Sequence, residues 1–318
     1  LIKNKIMKKQ KICIIGGSLA GLVTAISLSR LNCEIDLING YPNENLKSNR
    51  TIAISENNFK YLNKLNISNS LKKHIWTCSK IKLYTEIKNK KISEIFELNK
   101  QNNKENIFYM LENTKIIKLM RKKIKKIKSI SLKNHQKVLS ISNSGLLNTV
   151  KFKNSTAKYN LVIISTGYNS NLIKEAFNEK VVKNSYGESA FTTILEHTKF
   201  KNNTARQIFL DDSIFALLPI SNNRTSIVWS AKSIMKKSQK TFLKKKIQFY
   251  TSNFLKNIKF RNEIECKDLN FLIRSKYYLN RTLLFGDALH VMHPFIGQGF
   301  NMSLRDLKSL EKIISKKI

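Results

Sequence analysis

Two glycine-rich segments near opposite ends of the 318-residue chain hold the residues best placed to do chemistry. The first, Gly16-Gly17-Ser18-Leu19-Ala20-Gly21, leaves the apolar run Ile12 to Ile15 and enters a stretch with Ala, Leu and Ile at helical spacing. In a nucleotide-binding turn the first glycine permits the tight bend, the second lets backbone approach a pyrophosphate, and the third allows close helix packing. Free N–H groups at the helix start favour the anion. Ser18 stands where the second glycine is usual, and its hydroxyl can itself donate to phosphate. An acidic residue normally closes the next strand and holds ribose hydroxyls. Asn39 occupies that place, able to accept a hydrogen bond without adding charge, and it can equally open an Asn-Gly turn with Gly40. A purely structural glycine turn is the bland reading of this segment; the flanking strand and helix favour the nucleotide.

The second segment runs from Gly286-Asp287-Ala288 through His290 and His293 to Pro294-Phe295-Ile296-Gly297-Gln298-Gly299-Phe300-Asn301, between a buried strand and a helix. His290 and His293 as metal ligands are the competing idea, but an i, i+3 pair followed by proline lacks carboxylate or cysteine partners, so no metal is expected. Cys13, Cys33, Cys78 and Cys266 show neither metal nor redox spacing and read as small buried hydrophobes in a reducing compartment.

The elements that must position these residues follow from periodicity. Ile12 to Ile15, Leu19 to Leu31 and Ile35 to Ile38 make a strand, helix, strand unit of the length a dinucleotide-binding βαβ requires. Helices are expected over Asn57 to Leu65, Lys115 to Lys128, Gln239 to Asn257 and Asn301 to Lys317. Strands are expected over Ile81 to Leu98 with a turn at Asn89, then Leu161 to Ser165, Ala190 to Glu196, Gln207 to Leu210, Ile214 to Ile220, Ser226 to Ser230 and Leu283 to Phe285. Cofactor-like elements at both ends with sheet-rich material between them point to two interlaced domains.

Composition narrows the class. With 42% hydrophobic residues the chain can bury a substantial core and is not disordered. Its formal net charge of +37, from 58 Lys and Arg against 21 Asp and Glu, would ordinarily suggest nucleic acid or an anionic membrane. The lysines, however, are spread along the chain among Asn and Ile with no compact basic arm, so no nucleic-acid partner is expected. The densest cluster, Lys115 to Lys128, reads as a surface helix packed on the core, with adhesion to anionic lipid as the sharper alternative. No run of about 18 apolar residues and no signal peptide is seen. A cytoplasmic protein, peripheral at a membrane in the sharper reading, is expected. Met7 precedes Lys8-Lys9-Gln10-Lys11, so Leu1 to Ile6 read as an unstructured extension.

The second glycine segment closely resembles the flavin-contacting signature of para-hydroxybenzoate-hydroxylase-type monooxygenases. Arg50 to Ser55, Asn106 to Asn113, Ala216 to Pro219, Ser226 to Trp229 and Asn301 to Asp306 resemble, in order, parts of the 2-polyprenyl-6-methoxyphenol hydroxylase family of ubiquinone biosynthesis. The likeness covers Lys11 to Ile318 and implies an α/β fold: a Rossmann-like FAD-binding domain (7–70, 106–175 and 275–318) interlaced with a β-sheet substrate domain (71–105 and 176–274). It implies that Asp287 binds the ribityl or phosphate part of FAD and that Pro294, Gly297, Gln298, Gly299, Phe300 and Asn301 lie against the isoalloxazine ring. There, glycine backbone and the helix dipole would favour negative charge on the reduced ring. Arg50 and Asn113 would also contact the cofactor, beside Gly16, Gly17, Ser18, Gly21 and Asn39.

The implied chemistry is NAD(P)H reduction of FAD, capture of O₂ as a C4a-hydroperoxyflavin and hydroxylation of a polyprenyl phenol, with no protein acid, base or nucleophile named. Thr166 stands where the family usually carries an acid, and no Arg follows it soon after. The chain is C-terminally short beside its relatives, which predicts an uncovered apolar face and reduced stability or dependence on a partner in a biosynthetic complex. An FAD-dependent prenyl reductase and a non-catalytic binding subunit are the alternative readings.

Overall fold

Strand Gln10–Ile15 buries Ile12, Cys13, Ile14 and Ile15 on both of its faces, the pattern of a parallel strand covered from two sides. The structure, a computed structural model, describes residues 9–40, 48–87, 91–100, 105–177, 181–293 and 298–316. The extension expected at 1–6 and the turn at Asn89 lie outside these residues. The strand belongs to a six-stranded sheet in the order Tyr278–Leu279, Thr282–Leu284, Leu161–Ile164, Gln10–Ile15, Cys33–Asn39, Ile130–Asn134. All neighbours are parallel except the hairpin Tyr278–Leu279/Thr282–Leu284.

Parallel neighbours need a crossover, and the first is helix Leu19–Leu28. It is buried on almost every side because helices Asn113–Ile124 and Gln298–Ser315 pack over it. Leu22, Ile26, Ile116, Met120, Leu304 and Leu307 meet there, each contributing about 1.5–3 kcal/mol by burial. The apolar stripe of Asn113–Ile124 is thus spent on the core, leaving Lys118, Lys122, Lys125 and Lys126 in solvent. On the opposite face of the parallel sheet lies the three-stranded sheet Val138–Ser144, Leu147–Phe152, Thr156–Tyr159. Asp36 is buried between these layers, where its carboxylate accepts hydrogen bonds from the Tyr159 hydroxyl (2.7 Å) and Lys133 Nζ (3.0 Å).

The second large sheet runs His290–Val291, Glu265–Ile273, Val182–Glu196, Arg224–Lys232, Ser213–Ser221, Thr204–Leu210, Lys80–Ile87, Lys91–Asn99, with Lys259–Phe260 added beside Val182–Glu196. It is antiparallel apart from the pair Thr204–Leu210/Lys80–Ile87. Phe191, Phe215 and Trp229 on one face pack under Leu243, Ile247 and Tyr250 of helix Lys240–Thr251. A small sheet, Thr51–Ser55, Phe108–Glu112, Trp76–Cys78, joins the two halves through Ala53, Met110, Ile194 and Leu218. The halves are interlaced, since the chain passes from parallel strand Thr282–Leu284 directly into strand His290–Val291 of the antiparallel sheet. Among the described residues no helix is long and apolar enough to cross a membrane.

Some expectations shift. The helix expected to Asn257 ends at Thr251, where Leu255 folds back into the core and Asn257 takes a left-handed turn (φ 53°). The strand expected from Ala190 begins at Val182, and strand Glu265–Ile273 was not expected at all. Cys266 is exposed, not buried, because the start of its strand lies at the sheet edge with a partner on one side only. Cys13, Cys33 and Cys78 are buried and unpaired.

Candidate functional site

The C-terminal ends of strands Gln10–Ile15, Cys33–Asn39 and Leu161–Ile164 open into a cavity of 1270 Å³. Ordinary ligand pockets hold roughly 300–1,000 Å³, so there is room for a large ligand and a smaller one beside it. Gly16, Gly17 and Ser18 form its rim. Gly16 donates its N–H to Ile38 O (2.9 Å) with φ at +127°, and a methyl there would stand 2.6 Å from Ser165 O. One turn on, a methyl at Gly21 would stand 1.9 Å from Gly16 O, so the missing side chain lets the helix press against the loop. The Ser18 hydroxyl donates to Ser165 O (3.3 Å), and no side chain caps the helix start at Leu19 and Ala20, which line the cavity.

Asn39 lies at the end of its strand, its Nδ2 donating to Asn134 Oδ1 (3.1 Å) and its amide lying against Gly17. Arg50 and Asn113, far apart in sequence, are adjacent: Asn113 N–H donates to Arg50 O at 2.9 Å, and both line the cavity. Arg50 is held there by its neighbour Asn49, whose N–H donates to Glu265 Oε1 (2.9 Å) and whose Nδ2 donates to Glu263 O (2.7 Å).

The two glycine segments touch. Gly286 has φ +62°, and a methyl on it would meet Ala20 Cβ at 2.8 Å, so the Asp287 turn packs onto the start of the first helix. Asp287, Gly299 and Phe300 line the same cavity, while Gln298 opens helix Gln298–Ser315. Asn301 supports the wall instead: its Oδ1 accepts from Ser55 N–H (3.0 Å) and Asn58 Nδ2 (2.8 Å), and its Nδ2 donates to Ala53 O (2.7 Å). Pro294 and Gly297 lie outside the described residues.

The cavity floor is one face of the antiparallel sheet. Strand register aligns Lys267, Ala190, Ser230 and Ile214 in one row and Glu265, Thr192, Val228, Ala216 and Gln207 in the next. All of them line the cavity, while Phe191, Trp229 and Phe215 of the intervening row face the core.

Sequence reasoning missed two side chains here and the partners of two more. Arg274 is buried and joins the two walls, its Nε donating to Ala288 O (2.9 Å) and its Nη2 to Tyr168 O (3.2 Å). It therefore couples the Asp287 turn to the loop at Thr166, and nothing in its sequence neighbourhood marks it. Lys267 projects from the unexpected strand; the residue is exposed to the cavity, yet crowding by the surrounding walls and the nearby Arg50 charge hold its ammonium below the usual range, with Asp287 opposing. The remaining two form histidine–carboxylate pairs. His290 Nε2 lies 2.8 Å from Asp306 Oδ2, and His293 Nε2 lies 3.1 Å from Glu188 Oε2. The hydrogen bond to Asp306, outweighing burial, raises the His290 pKa above the usual imidazole range. The two histidines considered as metal ligands thus face separate carboxylates.

A parallel sheet with a glycine turn at its strand ends, facing an antiparallel floor across one cavity, defines a two-part dinucleotide-binding protein. The family described as FAD binding domain matches residues 9–318, and the chain belongs to that family. FAD fits the site on volume, on the bare backbone at Gly16 and Gly17, and on the uncapped helix start beside them. Among curated proteins, the chain is 29% identical over 133 residues to ubiquinone hydroxylase UbiL of Rhodospirillum rubrum, covering 40% of this chain and 31% of that protein. It is 25% identical over 358 aligned positions to the mitochondrial ubiquinone biosynthesis monooxygenase COQ6 of Caenorhabditis elegans, covering 95% of this chain and 78% of that one. The matched stretch spans only 31% and 30% of the length of the first two curated relatives. The fold is that of PqsL, a probable FAD-dependent monooxygenase from Pseudomonas aeruginosa (TM-score 0.80, 13% identity, 96% of this chain and 85% of that one). It also matches p-nitrophenol 4-monooxygenase PnpA of Pseudomonas putida (TM-score 0.77, 14% identity, 97% and 81%).

Proposed function

We propose that the chain is an FAD-dependent monooxygenase that hydroxylates an aromatic ring, and that the ring is carried by a polyprenyl phenol of ubiquinone biosynthesis. The observation that carries this reading is a single cavity shared by the glycine turn and a flat floor of small and apolar side chains. The substrate assignment draws on the names of the relatives, a ubiquinone hydroxylase and a ubiquinone biosynthesis monooxygenase. In this reading 7–70, 106–175 and 275–318 form the cofactor half, and 71–105 and 176–274 the substrate half.

Gly16, Gly17, Ser18 and the helix start beyond them take the pyrophosphate, with Gly21 allowing the helix to approach. Asn39 accepts from the ribose, Asp287 from the ribityl chain, and Arg50 and Asn113 contact the cofactor from the opposite rim. Gly299 and Phe300, in the stretch that also holds Pro294, Gly297 and Gln298, lie along the flavin ring, and Asn301 fixes that stretch to strand Thr51–Ser55. Bound FAD, reduced by NAD(P)H, supplies the electrons and the activation of O₂. The chain's own part is to seat the aromatic ring on Ala190, Ala216 and Ser230 and to exclude water with Ile214, Leu218 and Val228. The prenyl tail calls for contact with a membrane surface or a partner of the biosynthetic assembly.

The test is the visible spectrum of the purified chain with added FAD, followed by NADPH oxidation and oxygen uptake with a polyprenyl phenol. Flavin bands, oxygen uptake dependent on the phenol and a product heavier by one oxygen atom are expected. A chain that refuses FAD defeats the proposal, and NADPH oxidation without oxygen uptake would favour a prenyl reductase.

A further inference from the structure

The geometry points to Lys267 as an anion-recognising residue of the cavity floor, one that takes the ionised oxygen of an aromatic ligand, a carboxylate or a phenolate. This rests on the reading of the floor as the ring-binding surface. Lys267 ends the row that continues through Ala190 and Ser230, where the side chains are too small to fill the space above them. A planar ring lying on that row meets the Lys267 ammonium at its edge, where a ring substituent projects.

The two carboxylates on its own strand are already engaged. The Glu265 carboxylate accepts the Asn49 N–H, and Asp268 takes both the Ser189 hydroxyl (2.8 Å) and Lys236. Among the described residues, Lys267 makes neither a hydrogen bond nor an ion pair. Arg50 and Asp287 act on it only through space, one of each sign, so neither neutralises the ammonium by contact. Lys267 is exposed to the cavity, and a cation without a partner there gains most from a ligand that brings a negative oxygen to it, because charge-assisted hydrogen bonds are the strong ones. The floor's remaining lining is apolar or neutral, so it supplies the shape and Lys267 supplies the discrimination between an ionised ring and its neutral counterpart.

The experiment compares matched ligands by calorimetry on the chain with and without FAD: benzoate against benzamide, and 4-nitrophenolate against 4-nitroanisole. The intact chain is expected to bind the anion about tenfold more tightly, the equivalent of one pKa unit of differential interaction. Lys267→Met should bring the ratio close to one with FAD affinity unchanged, and Lys267→Arg should keep the preference. A preference confined to the benzoate pair assigns the subsite to carboxylates, and one confined to the nitrophenolate pair assigns it to phenolates. A ratio near one in the intact chain overturns the proposal, as does a ratio that survives in Lys267→Met. A Lys267→Met variant that loses FAD instead would place the residue in cofactor binding and also overturn it. If the chain takes no FAD, the proposed function fails while the cofactor-free titration still decides the role of Lys267.

Discussion

Where the glycine turn meets helix Leu19–Leu28, the cavity wall is main chain; across the cavity, on the antiparallel floor, it is side chains drawn from alternate positions of neighbouring strands. The first wall has no slack, since a single methyl at Gly16 or Gly21 would fall 2.6 or 1.9 Å from backbone or near-backbone oxygen. The floor has open volume above Ala190, Ala216 and Ser230. Recognition by bare backbone ties binding to folding, because the same close contacts do both. Recognition by floor side chains separates them, so a floor residue can change what binds while the sheet beneath it stays intact. Substitutions on the two sides should therefore fail in different ways.

The largest effect is expected from Asn301→Ala, which removes the side-chain hydrogen bonds from the second glycine segment to Ser55 and Ala53 of the small sheet and to Asn58 of the following helix, and strands the Ser55 N–H and the Ala53 carbonyl in the interior. We expect a loss of about 3 kcal/mol in urea denaturation, with flavin binding falling alongside it; a loss below about 0.5 kcal/mol would show the tie to be incidental. Gly21→Ala comes next. Helix propensity favours alanine by up to about 1 kcal/mol, but forcing a methyl against Gly16 O costs about 1–3 kcal/mol or more. A net destabilisation with weaker FAD binding is expected, and an alanine variant more stable than the parent would break the contrast. Ala190→Leu extends into the cavity above the floor and should cost about 1 kcal/mol of stability, the low end for added methylenes, because they enter open volume. It should leave FAD affinity within about twofold and weaken an aromatic ligand at least about tenfold, roughly 1.4 kcal/mol of binding. Equal loss of FAD and ligand would mean that the two sides are not separable.

That division also explains what could be read from the sequence. Bare backbone with no room for a methyl must be written as glycine, so Gly16, Gly17 and Gly21 announced the wall they belong to, and the apolar runs at Ile12–Ile15 and Ile35–Ile38 announced the strands behind it. Strand Glu265–Ile273 went unread because its cavity face puts Glu265 and Lys267 where an apolar alternation would have marked a half-buried strand. Arg274 was invisible for a related reason: its partners are the main-chain carbonyls of Tyr168 and Ala288, brought close only by the fold. Asn301 was legible as part of a flavin signature, but its use in pinning Thr51–Ser55 depends on a strand more than two hundred residues earlier. The histidines were noticed as a pair, and their true partners, Asp306 and Glu188, lie on a helix and a strand whose packing no local pattern encodes.

The smallest effect concerns the strand by which the chain crosses between the two sides. His290 on that strand has its pKa raised chiefly by the hydrogen bond to Asp306, with Asp287 adding a minor push in the same direction. A histidine whose folded pKa exceeds its unfolded value of about 6.5 stabilises the fold fully below that unfolded value and loses the contribution as pH rises through the folded one. Asp306→Asn should therefore cost the protein most on the acid side and little in mild alkali. Asp306 is 40% exposed and the pair is partly screened by solvent, so the expected acid-side loss is only about 0.5–1 kcal/mol. Urea denaturation of parent and variant at about pH 5.5 and about pH 8.5, one on each side of the imidazole range, measures the difference. Equal losses at both values would mean that a neutral hydrogen bond holds the crossing strand. A loss confined to the acid side would mean that the junction between the backbone wall and the side-chain floor is tightened by charge.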